Sequence, residues 1–362
     1  MFNRTKGNSS VVPLDRIGAE RICLIKPSAL GDVVQTLPVL TALRSRFPNA
    51  HITWVVQRSY AGLLASHPHL NETILFERVR TAPWSSATWR SMRELSETLR
   101  AGRFDLVCDL QGLLRSGMMA WATRAARRVG LADAREGARY LYTDRIAIPS
   151  ESISAVDRYW LMAQALGAGA GPKQFVLGSD AEAAAWAERV LGGVEGRRVA
   201  IHAGARWATK RWPAEHFSEI ARRMVREHRA HIILLGAPDE AETAERIAAS
   251  VPGRCLNLVG QTSLRQLSEV LTRAHVLFTN DSGPMHLAAA LGTRVAAVFT
   301  CTSPERARPY GEGHILFATN VWCAASYLRK CSRLDCFGEL TPDRVWPGLS
   351  AYLASLAPRA AA

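Results

Sequence analysis

The stretch Ala274-His-Val-Leu-Phe-Thr-Asn-Asp-Ser-Gly-Pro-Met-His-Leu-Ala-Ala-Ala-Leu291 decides how this chain is read. His275 to Phe278 reads as a strand, Asn280 to Gly283 as a polar turn, and a helix is expected from Pro284. Gly283 admits backbone dihedrals and close approaches that a side chain would block, and Pro284 suits the first helical position. A strand–turn–helix of this kind aims unpaired N–H groups and the positive end of a helix at whatever lies above the sheet, which suits a phosphate. Asp281, Ser282 and His286 are expected to line that mouth. Taken alone, the stretch also fits a well-capped core helix.

The same alternation extends in both directions. Towards the N-terminus it gives strand Arg198–His202, helix Pro213–Arg229, strand His231–Leu235, helix Asp239–Ser250, strand Leu256–Val259 and helix Leu264–Arg273. Strand Arg294–Phe299 follows the central stretch. An earlier series runs through strand Arg21–Lys26, helix Asp32–Phe47, strand His51–Gln57, helix Tyr60–Ser66, strand Thr73–Phe76, helix Thr88–Ala101 and strand Phe104–Asp109. Strands alternating with helices call for parallel sheets covered by helices, an α/β class. The two series meet at Gly167-Ala-Gly-Ala-Gly-Pro172, the best linker, after which helix Asp180–Leu191 opens the second. The expected organisation is a flexible tail over 1–20, a Rossmann-like half over 21–172, a second over 173–341, and a C-terminal helix and tail over 342–362. Two such halves place a ligand cleft between them, at the carboxyl ends of the strands.

Composition agrees with a soluble globular chain of about two domains: 362 residues, 48% hydrophobic and 21% charged. The net charge of +13 and pI of about 9.9 attract anionic partners. The absence of an aromatic-basic RNA motif and of zinc-finger spacing points away from nucleic acid. No apolar run reaches membrane-spanning length, and Met1 to Glu20 lacks the apolar core of a signal peptide. The expected location is therefore the cytosol, with the basic surface touching a membrane face. Seven cysteines, with Cys23, Cys108 and Cys255 in strand-like runs, suit reduced thiols.

Two further loops carry candidate chemistry. Lys26-Pro-Ser-Ala-Leu-Gly-Asp32 follows the first strand; its single Gly31 excludes the dinucleotide fingerprint, and no P-loop occurs. Asp32 falls at the helix mouth, where an acid either faces the cleft or simply complements the helix dipole. His202-Ala-Gly-Ala-Arg-Trp-Ala-Thr-Lys-Arg-Trp-Pro213 offers Gly204 for close backbone approach and Lys210 and Arg211 as cations. A cation beside a departing diphosphate stabilises the charge that develops there; the alternative is a solvated basic loop. Glu240, at the start of a helix, either holds a ribose diol or is simply a helix-start charge. Arg58, Gln111 and Arg115 follow first-half strands, and guanidinium groups suit carboxylates and phosphates. The basic stretch Arg124 to Arg139 either extends that surface or is a solvated charge run.

Gly31-Asp32-Val33 with Leu37-Pro38, Asp109-Leu-Gln-Gly112, Lys210-Arg-Trp-Pro213 and Asn280-Asp-Ser-Gly-Pro-Met-His286, in this order, resemble the glycosyltransferase family 9 heptosyltransferases of bacterial lipopolysaccharide synthesis. The likeness spans about Arg21 to Trp346. It implies a GT-B fold, with the acceptor in the N-terminal half and ADP-heptose in the C-terminal one. It also implies an inverting, metal-independent transfer without a resident cofactor; the chain has no Asp-x-Asp motif. The implied acceptor is a lipid-linked lipid A–Kdo (3-deoxy-octulosonate) core at the cytosolic membrane face.

By motif position the likeness makes Asp32 the general base and gives Lys210 the leaving diphosphate. Gly204, Thr209, Asp281, Ser282, Gly283 and His286 would contact the donor, Glu240 its ribose, and Thr262 and Leu264 flank its adenine. Gly204-Ala-Arg-Trp207 departs from the threonine-rich donor loop of sequences like the first heptosyltransferase, whereas Trp121 to Arg145 looks more like that enzyme. Cys323, Cys331 and Cys336 are similar to a cysteine-containing tail in parts of the family; packing thiols are expected there rather than zinc. The rivals are another GT-B activity, a later core step, or a catalytically silent nucleotide-sugar binder. Retention of both Asp32 and Lys210 favours turnover over binding alone.

Overall fold

A computed structural model describes residues 12–77, 86–150 and 152–356. Its strands are β1 (Arg21–Ile25), β2 (His51–Gln57), β3 (Glu72–Phe76), β4 (Leu106–Asp109), β5 (Arg127–Leu131) and β6 (Asp144–Ile146), then β7 (Arg197–His202), β8 (Ala230–Leu234), β9 (Cys255–Asn257), β10 (Val276–Asn280), β11 (Arg294–Phe299) and β12 (Ile315–Ala318). The first six form one parallel sheet in the order β3-β2-β1-β4-β5-β6, and the last six form another in the order β12-β11-β10-β7-β8-β9. Counted within its own half, each sheet has the doubly wound order of a Rossmann fold. Strand order reverses at β1/β4 in one sheet and at β7/β10 in the other, so a crevice opens at those strand ends.

The helices around the first sheet are α1 (Leu30–Arg46), α2 (Arg58–Leu64), α3 (Ser86–Ala101), α4 (Leu114–Ala122) and α5 (Ala155–Ala165). Around the second lie α6 (Ala181–Leu191), α7 (Ala214–His228), α8 (Ala241–Ala249), α9 (Leu264–Arg273), α10 (Gly283–Ala290), α11 (Pro304–Ala307), α12 (Asp335–Glu339) and α13 (Pro342–Ser355). β1 and β10 read as uninterrupted apolar runs because both faces are covered: Ile22 to Ile25 and Val276 to Phe278 are wholly buried. α13 packs on α7 and β12, burying Val345, Trp346, Leu349 and Leu353 against the second core. The sequence alone had left its partner open.

Several elements went unread in the sequence. β5, β6, α4 and α5 all fall between Asp109 and the glycine-rich linker, and β12 follows β11. The basic stretch Arg124 to Arg139 is therefore not one solvated run. It contains β5, and Arg127 bonds the carboxylate of Asp144 on β6 at 2.9 Å. The tail expected over 1–20 is only partly described: residues 1–11 lie outside the described ones, Ile17 is buried, and the Glu20 amide donates to Asp105 at 2.9 Å.

The halves meet through the starts of α1 and α10. A Cβ on Gly31 would stand 2.6 Å from His286 Cδ2, and one on Gly283 would stand 2.9 Å from Leu30 Cβ. Both positions need glycine for close approach.

Candidate active site

Asp32 is the third residue of α1, where an acid can reach back to the N-cap amide. Its Oδ2 accepts from the Ala29 N–H at 3.1 Å, so the dipole-partner role is real. The other oxygen faces a different network. Tyr159, on α5, donates its hydroxyl to Oδ1 at 2.7 Å, and the Lys26 ammonium lies 3.5 Å away. Lys26 is 2% exposed and donates to the Tyr159 oxygen at 2.7 Å and the Leu110 carbonyl at 3.0 Å. Burial presses the Asp32 pKa upward, but Lys26, the Tyr159 hydroxyl, the Ala29 amide and His286 outweigh it and leave the carboxyl below its usual value. Burial lowers the Lys26 pKa. The Asp32 side chain remains 38% exposed to the cleft.

Across the cleft, Lys210 donates to Asp281 Oδ2 at 2.5 Å, and Thr302 donates to the same oxygen at 2.7 Å. Lys210 also sits 4.8 Å from the centre of the Trp207 ring. Asp281 is 5% exposed. The Asp281 carboxylate, itself an anion, is engaged in holding Lys210. Ser282 caps α10 with its hydroxyl near His202 Nδ1 (3.2 Å) and Thr279 (3.1 Å), and does not bond its own helix. The amides at the start of α10 are thus left without a side-chain cap from Ser282.

His286 lies between the halves. Its Nδ1 is 3.2 Å from Gln35 Nε2, which makes Nδ1 the acceptor and places any ring proton on Nε2. Burial lowers its pKa, against the pull of Asp281 and Asp32, so the ring is neutral at pH 7.

Glu240 lies over two glycines. A Cβ on Gly204 would fall 1.5 Å from Oε1, and one on Gly236 would fall 2.4 Å from Oε2. Gly204 therefore makes room for Glu240 as well as for any ligand. Oε2 accepts from the Ala237 amide at 2.9 Å and pairs with His202 at 3.3 Å. Burial raises the Glu240 pKa, but the His202 contacts and the Ala237 amide leave it lowered overall. Thr262, just before α9, and Leu264, its first residue, share this end of the sheet, because Gly260 N–H bonds the Gly236 carbonyl at 3.0 Å.

Two expected contacts, those of Thr209 and Gln111, fall elsewhere. Thr209 is buried and donates its hydroxyl to the Leu328 carbonyl at 2.7 Å, so that side chain is not offered to a donor. Gln111 turns its Oε1 to the Ser28 amide at 3.3 Å, bracing the loop before Asp32. Arg58 and Arg115 stand together near the end of β3: Arg58 pairs with Glu77, and Arg115 lies 5.6 Å from the centre of the Phe76 ring.

Lys26, Tyr159, Gln35, His202 and Asn280 had been given no role. Only position marks Lys26, a cation ending an apolar strand. Asn280 clamps the two loops of the second half, donating to the Ala203 carbonyl at 2.7 Å and accepting from the Trp212 amide at 3.1 Å. Asp109 of the first-half motif is buried, accepts from Tyr142 at 2.6 Å, and has its pKa raised by burial; it is structural. Cys323, Cys331 and Cys336 line a cavity of about 520 Å³ outside the cleft, and burial lifts the Cys336 thiol to about 11. Among the described residues no group of three or more His, Cys, Asp or Glu is placed to hold a metal ion.

An ionised carboxylate on one side, a buried-anchored cation with open helix amides on the other, and a neutral histidine at the seam suit group transfer to a hydroxyl from an anionic leaving group. Residues 92–336 match the family model described as glycosyltransferase family 9 (heptosyltransferase). The chain belongs to glycosyltransferase family 9. It is a glycosyltransferase, and its two sheets have the GT-B arrangement. Lipopolysaccharide heptosyltransferase 1 of Pseudomonas aeruginosa is 30% identical, the match covering 92% of this chain and 98% of that one. The E. coli heptosyltransferase WaaC solved with ADP superposes with a TM-score of 0.73 at 25% identity, covering 92% and 99%. A family 9 glycosyltransferase from Veillonella parvula superposes at 0.79, covering 94% and 98%; at 22% identity it speaks for the fold alone. Among the described residues no helix is long and apolar enough to cross a membrane.

Proposed function

We propose that this family 9 enzyme, a heptosyltransferase of the lipopolysaccharide core, transfers heptose from ADP-heptose to the Kdo of a lipid-linked inner-core acceptor, with inversion. The observation that carries the reading is the Asp32 carboxylate, ionised and cleft-facing, set opposite the Lys210–Asp281 pair at the start of α10. An acceptor hydroxyl attacks the anomeric carbon while the bond from that carbon to the diphosphate oxygen breaks. The hydroxyl proton passes to Asp32, and ADP leaves with the bonding electrons. In-line attack needs the base and the leaving-group cation on opposite sides, which two halves closing on each other supply.

A carboxylate with a lowered pKa is a weak base, so positioning carries much of the acceleration. Lys210 and the Gly283 amide at the start of α10 stabilise the charge developing on the diphosphate, and Asp281 acts through Lys210. His286 contacts the transferred sugar, Glu240 the ribose, and the loop at Thr262 and Leu264 the adenine. Arg58 and Arg115 meet acceptor carboxylate or phosphate groups. Supporting a first-core-sugar step is the 30% identity to a heptosyltransferase 1 over nearly the whole chain. The setting is the cytosolic face of the membrane, reached by peripheral association.

The test is ADP release from ADP-heptose with Kdo–lipid A, with a heptosylated acceptor, and without acceptor, for wild type and Asp32→Asn. Release that requires Kdo–lipid A and falls at least a thousandfold in the variant, with ADP binding kept, is the expected result. Release only with the heptosylated acceptor moves the enzyme to a later step. Silence with both acceptors overturns the donor or the acceptor assignment.

A further inference from the structure

We infer that α4 and the turn beside it form the face by which this enzyme docks on an anionic lipid bilayer. α4 buries Ser116, Gly117, Met119, Ala120 and Ala122. On its other side Leu114, Met118 and Trp121 are 44%, 44% and 61% exposed. Their i, i+4, i+7 spacing puts all three on one stripe. Single exposed apolar residues are ordinary, whereas a stripe of three large ones on one helix asks for a partner.

Its borders say which partner. Next to Trp121 around the helix is Gly117, whose missing side chain lets the turn Ala138–Leu141 lie close; a Cβ there would be 3.1 Å from Ala138 Cβ. That turn presents Tyr140, 71% exposed, with the Arg139 guanidinium 4.9 Å from its ring centre and bonded to its hydroxyl at 2.9 Å. On the opposite border stands Arg115, and Arg124 follows the end of the helix. None of these three arginines is in an ion pair among the described residues. The acid nearby, Glu136, is engaged with the Leu114 amide at 3.2 Å.

Apolar side chains flanked by Trp, Tyr and unpaired arginines match the boundary between acyl chains and anionic headgroups. A second copy of the chain is a poorer occupant. A two-fold contact would set these arginines against their own equivalents, on a protein already carrying +13. The placement fits the chemistry as well: α4 starts beyond the Asp109–Gly112 loop, whose Gln111 braces the loop before Asp32. A bilayer lying on this face borders the acceptor side of the cleft. The purpose assigned to the face rests on the lipid-linked acceptor proposed above; the binding itself does not.

The test is co-sedimentation of the full chain with phosphatidylcholine vesicles, with and without phosphatidylglycerol, in the absence of donor and acceptor. Two double variants are used, Leu114→Ser with Trp121→Ser, and Arg124→Glu with Arg139→Glu; thermal melting and ADP titration check that each is folded. Trp322→Ser, at another exposed tryptophan (76%), is the control. Wild type is expected to bind the anionic vesicles, more weakly as salt rises, with affinity falling about tenfold or more in either double variant and unchanged in the control. The inference is overturned if wild type ignores anionic vesicles, if folded double variants bind as wild type does, or if the loss follows Trp322→Ser. It also fails if the face instead drives a concentration-dependent dimer that the serine pair dissolves. Vesicle binding through α4 in an enzyme silent towards every core acceptor would retain this inference while sinking the acceptor reading.

Discussion

The Tyr159 hydroxyl donates to Asp32 at 2.7 Å from 127 positions away in the chain, and accepts from the buried Lys26 ammonium on its other side. This relay holds the carboxylate ionised and fixes its Oδ1 in place. Tyr159→Phe removes a hydrogen bond to a charged group, worth roughly 1.5–3 kcal/mol. A ten- to hundredfold fall in kcat/KM is expected on that scale. The hydroxyl stabilises the ionised form, so its loss raises the Asp32 pKa, and activity is lost at a higher pH than in wild type as the medium is acidified. Wild type should keep its acid limb below the ordinary carboxyl value of 3.8. A pH–rate profile of the variant that overlays wild type would show that Asp32 is not the base.

Lys210 and Asp281 should behave as a unit. Lys210→Ala strands a 5%-exposed carboxylate with Thr302 as its remaining side-chain donor, a loss on the order of 3 kcal/mol in unfolding free energy. Asp281→Asn releases the ammonium from its anchor and should weaken ADP binding through loss of its position. Urea unfolding of both single variants and of Lys210→Met with Asp281→Asn gives the coupling directly. Strict additivity would mean that the 2.5 Å contact contributes nothing.

What could be read from the sequence, and what could not, follows from the range of the interactions. β1, β2, β7, β8, β10 and β11 are covered on both faces, and their apolar runs announce them. β5 opens with Arg127 and Arg128, and β6 is three residues long with two charged; Arg127, Arg128 and Asp144 spend their charges on tertiary bonds, so neither strand shows an apolar pattern. Asp32, Lys210 and Asp281 were legible because they follow strand ends, where ligands bind in such sheets. Tyr159 was not, since no local pattern marks a helix residue whose partner is 127 positions away. The side-chain partner of Asp281 was not legible either; only the geometry shows that it faces a lysine.

Gly31→Ala tests the seam between the halves. In an exposed helix this change would gain up to about 1 kcal/mol. Here the new methyl group would lie 2.6 Å from His286 Cδ2, and overpacking of that kind costs about 1–3 kcal/mol unless the helices separate. Separation breaks the Gln35–His286 contact and withdraws Asp32 from the α10 amides. Turnover is expected to fall more than a hundredfold while the melting temperature changes by only a few degrees. Wild-type turnover in Gly31→Ala would show that the catalytic arrangement does not need α1 and α10 in contact.

His67 gives stability a pH dependence of known sign. It lies three residues beyond α2, donates Nε2–H at 2.8 Å to the carbonyl of Val176 in the segment that follows the linker, and accepts the His69 amide on Nδ1 at 3.1 Å. Burial, opposed by the Val176 bond and helped by the charges of His69 and Arg265, lowers its pKa from 6.5 to about 4. A proton on Nδ1 would also eject the His69 amide. Between those two values the unfolded chain holds a proton that the native chain does not, so stability is complete above pH 6.5 and declines as pH falls towards 4. The loss from this one residue is roughly 3 kcal/mol at the low end. His67→Gln keeps a donor for Val176 and abolishes the titration. Urea midpoints measured from pH 7 down to 4 should therefore fall less steeply in the variant, the difference appearing only below 6.5. Parallel curves would mean that His67 titrates alike in both states and that Val176 is not held by a neutral imidazole.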